Sequence, residues 1–267
     1  MSTGRKLRTY AVYLFDLDGT IYLGDQVLPG AVSTIRGLRE HRRQVRFLSN
    51  NPTKSPAAYA AKLSGFGIPT AVGEITTTIQ TTIWWLKLHQ PGAVVFPIAE
   101  APLCQALEEA GFRLSTDPRE IDVVIASYDR DFAYWKLQTA FDALWFEKRA
   151  ILIETNPDRF CPFPGGRGEP DCAAITAAIE ACTQVSCQAS MGKPAPWMLQ
   201  AALAGLEVAP EDCLMTGDRL ATDIVMALRA GVDAAVVFSG ETSPSDLGPA
   251  HAAVHQLSCL DELLAGF

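Results

Sequence analysis

Short apolar runs alternate along this chain with segments whose apolar positions recur every three or four residues. Tyr10–Phe15 opens as a strand. After Pro29 and Gly30, Val32, Ile35 and Leu38 fall on one face of a helix, and "QVRFLSNN" ends a second strand at Ser49 and Asn50. "SPAAYAAKLSGFG" carries helix punctuation at both ends, with Ser55 as cap, Pro56 at the first position and glycine at the stop. Further on, "DVVIAS" and "AILIETN" predict strands. "APLCQALEEAG" and "DFAYWKLQTAFDALWFEK" predict helices, and Pro170 opens another at "PDCAAITAAIEAC". The strands "CLMTGD" and "DAAVVFSG" flank the helix "ATDIVMALRAG", and "AAVHQL" and "CLDELLAGF" supply a last strand and a terminal helix. Strands alternating with helices in this way predict an α/β fold built on parallel sheet with crossover helices.

Composition narrows the class. A chain of 267 residues suits one large domain or two ordinary ones, and 48% apolar residues suffice for a packed core. A formal charge of −8 and no basic run exclude a general nucleic-acid binder. No apolar stretch reaches membrane-spanning length, and MSTGRKLRTY lacks the apolar core of a signal peptide. The seven cysteines are scattered, odd in number and without a CxxC pair, which fits reduced thiols in cytoplasm. Cys182 and Cys187 have no His or second Cys pair to make a metal site, so the expected role is space filling. His41, His89, His251 and His255 fall on polar segments, are expected to be exposed, and receive no role. Trp84, Trp85, Trp135 and Trp145 are expected in the core. Because adjacent helix positions cannot both face one core, the Trp84–Trp85 pair is the candidate contact for a homodimer.

Chemistry enters at "YLFDLDGTIYLGD", where Asp16 and Asp18 follow an apolar run. An unpaired charge in an apolar setting loses several kcal/mol of hydration, so the strand must end there and something beyond it must want both acids. Ligands of open parallel sheets bind beyond the carboxyl ends of the strands. Four polar clusters follow strands or begin helices: Asp16-Leu17-Asp18-Gly19-Thr20, Ser49-Asn50, Gly192-Lys193-Pro194, and Gly217-Asp218 with Asp223. Gathered in one place they supply four carboxylates, an ammonium and a hydroxyl. That many acids repel one another unless a divalent cation joins them, and oxygen donors without Cys or His favour Mg²⁺. Singly, each cluster has an ordinary reading as a turn, a cap or a solvated lysine; in combination and in this order they do not.

In this combination the chain resembles the haloacid dehalogenase superfamily of phosphotransferases: DxDGT at Asp16–Thr20, an apolar strand ending in Ser49, the isolated Lys193, and GDxxxTD from Gly217 to Asp223. The resemblance implies a Rossmann-like, doubly wound parallel sheet core. Only 33 positions separate Asp16 from Ser49, but 144 separate Ser49 from Lys193, far more than such a core needs. The surplus is expected to be an inserted α/β cap of the C2 type over residues 83–187, with the core in two parts, 1–82 and 188–267. "LPGA", "FLSNNPTKS", "ETNPD" and "GKPAPWM" resemble the IIA branch of p-nitrophenyl, sugar-phosphate and nucleotide phosphatases.

The roles follow the resemblance. Asp16 is the nucleophile that divides phosphate ester hydrolysis through an aspartyl-phosphate. Asp18 is the general acid and base. Its carboxyl is expected to hold its proton more tightly than usual because of burial and neighbouring acids. The metal set is Asp16, Asp218 and the main-chain carbonyl of Asp18. Asp223 stands behind it, orienting metal-bound water or Lys193, and Thr20 braces the loop. Lys193, Ser49 and the Asn50 N–H hold the phosphoryl oxygens. In the cap, Asn156 and Asp158 of the TNxD segment are expected to face the substrate, with Arg159, Phe160 and Arg167 as further candidates in an exposed Gly/Pro-rich loop. Glu169, Pro170 and Asp171 stand where many IIA members have small residues. Acids there disfavour a second phosphate, so a sugar or polyol monophosphate is preferred to a nucleotide.

The expected activity is Mg²⁺-dependent hydrolysis of small phosphate monoesters, with a small phosphorylated metabolite as partner and neither nucleic acid nor membrane. The alternatives are a nucleotide or pyridoxal/phosphoglycolate-type monophosphatase of the same fold, a phosphomutase or transferase, a dehalogenase, and a non-enzymatic phosphometabolite sensor. Asp18 argues against the sensor, since a stable phosphoacceptor gains nothing from an adjacent acid.

Overall fold

Val12, Tyr13, Leu14 and Phe15 are all buried, which a strand achieves only when both of its faces are covered. In the computed structural model, which describes residues 7–163 and 166–267, they lie in Val12–Asp16, near the middle of a six-stranded sheet. Its order is His255–Leu257, Asp233–Val237, Cys213–Gly217, Val12–Asp16, Gln44–Ser49, Ile75–Thr77. The first four neighbouring pairs of that order run parallel. Numbered along the chain this is the 3-2-1-4-5-6 order of a doubly wound sheet. Successive residues point to opposite faces. Tyr13, Phe15, Val45 and Phe47 pack with Ile35, Leu38, Tyr59, Leu63 and Leu260 on one side. Val12, Leu14, Leu48 and Met215 pack with Met198, Leu199, Ile224 and Met226 on the other.

The chain divides into two units. The first comprises residues through Ser49, Pro56–Thr76 and Pro194–Phe267, and the second Asn50–Ser55 with Thr77–Lys193. The expected insert of 83–187 falls inside the second unit. That unit has its own parallel sheet, in the order Ala189–Ser190, Ile151–Glu154, Val123–Ala126, Val94–Ile98, Arg113–Leu114. Phe96, Val124, Leu152, Ala140, Cys172, Ile175 and Ile179 form its core. Helix Thr78–His89 begins with a reciprocal cap: Thr77 Oγ1 accepts from the Ile79 N–H, and Gln80 Oε1 accepts from the Thr77 N–H.

Several local expectations are corrected. Pro170 does not open a helix; it ends the strand Arg167–Pro170, which pairs antiparallel with Phe160–Phe163. The expected loop is therefore a hairpin; Pro164 and Gly165 lie outside the described residues, as does the opening MSTGRK. The helix after Asp218 begins as a wider π turn over Leu220–Ile224, and the long helix from Tyr134 ends as one over Asp142–Phe146. Trp85 is buried, but Trp135 and Trp145 are 53% and 45% exposed. His255 is not exposed. It is buried beside the Tyr10 hydroxyl, 3.2 Å from its Nε2. All seven cysteines are free. Among the described residues no helix is long and apolar enough to cross a membrane.

Candidate active site

The order of the first sheet decides where its chemistry lies. Connections leave in opposite directions between Val12–Asp16 and Cys213–Gly217, so a crevice opens beyond their carboxyl ends. The chain places Asp16 at one of these ends and Gly217-Asp218 at the other. Carboxylate oxygens of Asp16, Asp218 and Asp223 lie within 4.8 Å of one another, and all three residues are buried. Asp223, expected to stand behind the metal set, thus brings a carboxylate oxygen within the same 4.8 Å. The π turn helps put it there, with the Ile224 N–H reaching back to Arg219 O at 3.4 Å.

Glycines let the backbone close around these acids. A Cβ at Gly217 would stand 2.3 Å from Asp223 Cγ, and one at Gly240 only 2.0 Å from Asp218 Oδ2. Gly19, at φ +89°, takes the left-handed conformation of the turn and would also collide with Asp218. Asp218 Oδ2 accepts the Glu241 N–H at 2.8 Å, and Asp223 Oδ2 accepts the Arg219 N–H at 3.2 Å. A cradle of three acids, each otherwise bare of any Cys or His neighbour in the set, fits a small hard cation that binds oxygen. Without one, the like charges oppose one another in a poorly solvated place.

Asp18 is not in this set, and it is solvent-exposed rather than buried as expected. Tyr22, which periodicity marks only as core, meets it. The buried Tyr22 hydroxyl donates to Asp18 Oδ2 at 3.3 Å. A second unanticipated tyrosine, Tyr59, accepts from Ser49 Oγ at 3.2 Å. Both aromatics read as core by periodicity, and nothing local to either marks its hydroxyl's partner. Thr20 is buried, but among the described residues its hydroxyl has no hydrogen-bond partner, so the expected brace comes from main chain, with the Thr20 and Ile21 N–H groups on Leu17 O.

The division between units falls directly after Ser49, and Asn50 organises the second group. Its side-chain Nδ2 donates to Asp158 Oδ2 at 2.9 Å and to Lys193 O at 3.1 Å, while its Oδ1 accepts the Lys193 N–H at 2.7 Å. Asn156 Nδ2 donates to Asn50 O at 3.3 Å. Four residues singled out in the sequence, Asn50, Asn156, Asp158 and Lys193, are thereby tied to one another inside the second unit. Gly192 is required by the same closeness, because a Cβ there would lie 2.8 Å from that of Asn156.

Arg159, Phe160, Arg167 and Glu169 line one open pocket of about 410 Å³ beside the hairpin. The acids that follow are engaged rather than bare: the Tyr128 hydroxyl donates to Glu169, and Asp171 caps helix Cys172–Thr183 by accepting the Cys172 N–H at 2.6 Å. Asp171 is therefore a structural cap, which weakens its expected part in repelling a second phosphate. Burial, reinforced by the charge of Asp158, pushes its carboxyl up to about 6 from 3.8. The folded chain then binds this proton more tightly than the unfolded chain does. The resulting stability is fully present below pH 3.8 and is lost as pH rises through about 6. Asp171→Asn keeps an acceptor for the cap and removes the charge. Its stability relative to wild type, from urea unfolding, is expected to improve by about 2 kcal/mol between pH 4 and pH 7.

Comparison with known proteins places this geometry. Residues 13–113 match the haloacid dehalogenase-like hydrolase family, and residues 190–263 match a HAD-hydrolase-like family. The chain is 32% identical to the sugar-phosphatase AraL of Bacillus subtilis over 87% of its own length and 85% of that protein. It is likewise 32% identical to the 5'-nucleotidase YutF of the same organism, over 88% and 90% of the two chains. In structure it is similar to a 4-nitrophenylphosphatase from Thermotoga maritima, with a TM-score of 0.89 at 28% identity and 98% of each chain covered. With its doubly wound sheet, its second α/β unit and these relatives, the chain belongs to the haloacid dehalogenase superfamily, in the IIA phosphatase branch, and is a phosphoric monoester hydrolase.

Proposed function

We propose that this chain hydrolyses small phosphate monoesters, sugar or polyol phosphates in particular, by a Mg²⁺-dependent route through a phosphoryl group carried on Asp16. The observation that carries the reading is the buried set of Asp16, Asp218 and Asp223 carboxylates at the crevice of the parallel sheet. Those residues, with the Asp18 carbonyl, would hold Mg²⁺. When bound, it neutralises phosphoryl and carboxylate charge so that two anions can meet.

The side chains divide the remaining work. Asp16, rigidly placed at a buried strand end, attacks phosphorus in line with the leaving oxygen. Asp18 gives its proton to that oxygen as the P–O bond breaks, and later takes one from the water that releases phosphate from Asp16. Ser49 and the Asn50 N–H are assigned to the phosphoryl oxygens, as is the Lys193 ammonium. Most of the acceleration comes from such positioning and charge neutralisation. On this reading the partner is a small phosphorylated metabolite, met in the cytoplasm, with no part for nucleic acid or membrane.

The substrate class rests on relatives such as AraL, named a sugar-phosphatase. A second reading, a nucleotide or another monoester with a further anionic group, is supported by Arg159 and Arg167 at one pocket and by similarity to YutF, named a 5'-nucleotidase. Phosphate release from a panel of sugar, polyol, nucleotide and aryl monophosphates tests both. Sugar or polyol phosphates are expected to give the highest kcat/KM, by about tenfold or more over nucleotides. The reverse order would transfer the assignment to the second reading.

A further inference from the structure

We infer that Tyr22 is a positioning residue for the acid step: its hydroxyl holds Asp18 Oδ2 and stabilises the charge that builds on Asp18 as it gives up its proton. The inference rests on the phosphatase reading above and adds a residue to it.

The turn after the first strand builds the contact. Asp18 and Tyr22 form an isolated backbone bridge, the Gly19 N–H donates to Tyr22 O at 2.8 Å, and the Tyr22 N–H donates to Leu17 O at 3.2 Å. This folds the segment back so that the Tyr22 ring is 1% exposed. Its ring packs against Phe66 at 5.6 Å between centroids. Lys62 Nζ sits 3.7 Å from the ring centre while donating to Gly24 O at 2.8 Å. A phenol held this firmly inside a core needs a partner for its O–H. Among the described residues the partner is the carboxylate of Asp18.

The chemistry follows from which way that bond can run. A neutral phenol facing a carboxylate donates its O–H, and here it does so to Oδ2 at 3.3 Å. With Oδ2 taken by a donor, a proton on Asp18 resides on Oδ1. In the first half-reaction the ester P–O bond breaks, the Asp16–phosphorus bond forms, and the Oδ1 proton passes to the leaving oxygen. Asp18 is left as a carboxylate. The bond from Tyr22 strengthens as that negative charge grows, so it stabilises the transition state more than the ground state. The benefit is confined to esters whose leaving oxygen needs a proton.

Tyr22→Phe removes the hydroxyl and keeps the ring between Phe66 and Lys62. The parameter kcat/KM reads steps up to departure of the first product. It is expected to fall about tenfold for an alkyl phosphate such as glycerol phosphate, the scale of one hydrogen bond to a charged group. For p-nitrophenyl phosphate, whose phenolate leaves without a proton, it should change less than about twofold. In an Asp18→Asn background the same substitution should add nothing. Equal losses with both esters, or no loss, would overturn the inference, because packing damage does not distinguish leaving groups. Should Tyr22→Phe not fold, 3-fluorotyrosine at position 22 keeps the shape and alters the donor; an unchanged alkyl-to-aryl ratio would then overturn it. Wild-type protein that releases phosphate from no ester would overturn both readings. Wild-type turnover that needs Asp16 and Asp18, with the ratio unmoved in Tyr22→Phe, overturns the role of Tyr22 alone.

Discussion

Asp16→Asn is expected to abolish phosphate release, lowering turnover by roughly 10⁴-fold or more, while leaving the chain folded. An amide cannot serve as the nucleophile. The variant should also show a stability signature. Three buried carboxylates with oxygens within 4.8 Å repel one another when no cation is bound. At an effective dielectric constant near 20, a pair of unit charges that far apart costs roughly 3 kcal/mol. Neutralising Asp16 relieves part of this, so in chelator the variant should melt no lower than wild type. Thermal melting together with phosphate release checks both halves. Retained turnover would remove Asp16 as nucleophile, and a lower melting temperature in chelator would mean that the three acids do not repel as placed.

Chelation of divalent cations is expected to have an effect of similar size. Turnover should fall by about 10³-fold or more and return on adding Mg²⁺, since the phosphoryl group and the acids that face it then lack the charge that lets them approach. A ligand bound only by the folded state, at about a hundred times its dissociation constant, stabilises by ~2.7 kcal/mol. In a chain of this size that corresponds to a melting temperature roughly 5–10 °C higher with Mg²⁺ than with chelator. Replacing Asp218 by Asn should shrink the shift. Full activity in chelator would end the metal assignment, whatever became of Asp16.

Much of this was legible in residue order. The run ending at Asp16-Leu17-Asp18-Gly19-Thr20 announces itself because an apolar strand cannot carry two acids, so the end of the strand and the start of the chemistry coincide. Gly217-Asp218 reads in the same way. Lys193 stands out between Gly192 and Pro194, and the 144 positions between Ser49 and Lys193 announce an inserted unit. Patterns of this kind report neighbours within about four residues, the reach of one helical turn or one strand repeat. They could not show that Pro170 ends a strand, since a proline before an amphipathic run is also good helix punctuation. Nor could they show that His255 is buried beside Tyr10, which lies 245 positions away.

The sequence by itself determined the α/β class, the identity of the acids and the existence of a second unit. Each is written in local periodicity and in the spacing of a few polar residues. Only the tertiary structure decided which distant groups meet. Asp16 and Asp218 face one crevice because strand order places their strands side by side. The Asn50 side chain clamps the main chain of a residue 143 positions away, and the tyrosine hydroxyls at 22 and 59 meet Asp18 and Ser49. The physical reason is that a buried polar group takes whatever partner packing brings to it, and packing is settled by the whole chain at once.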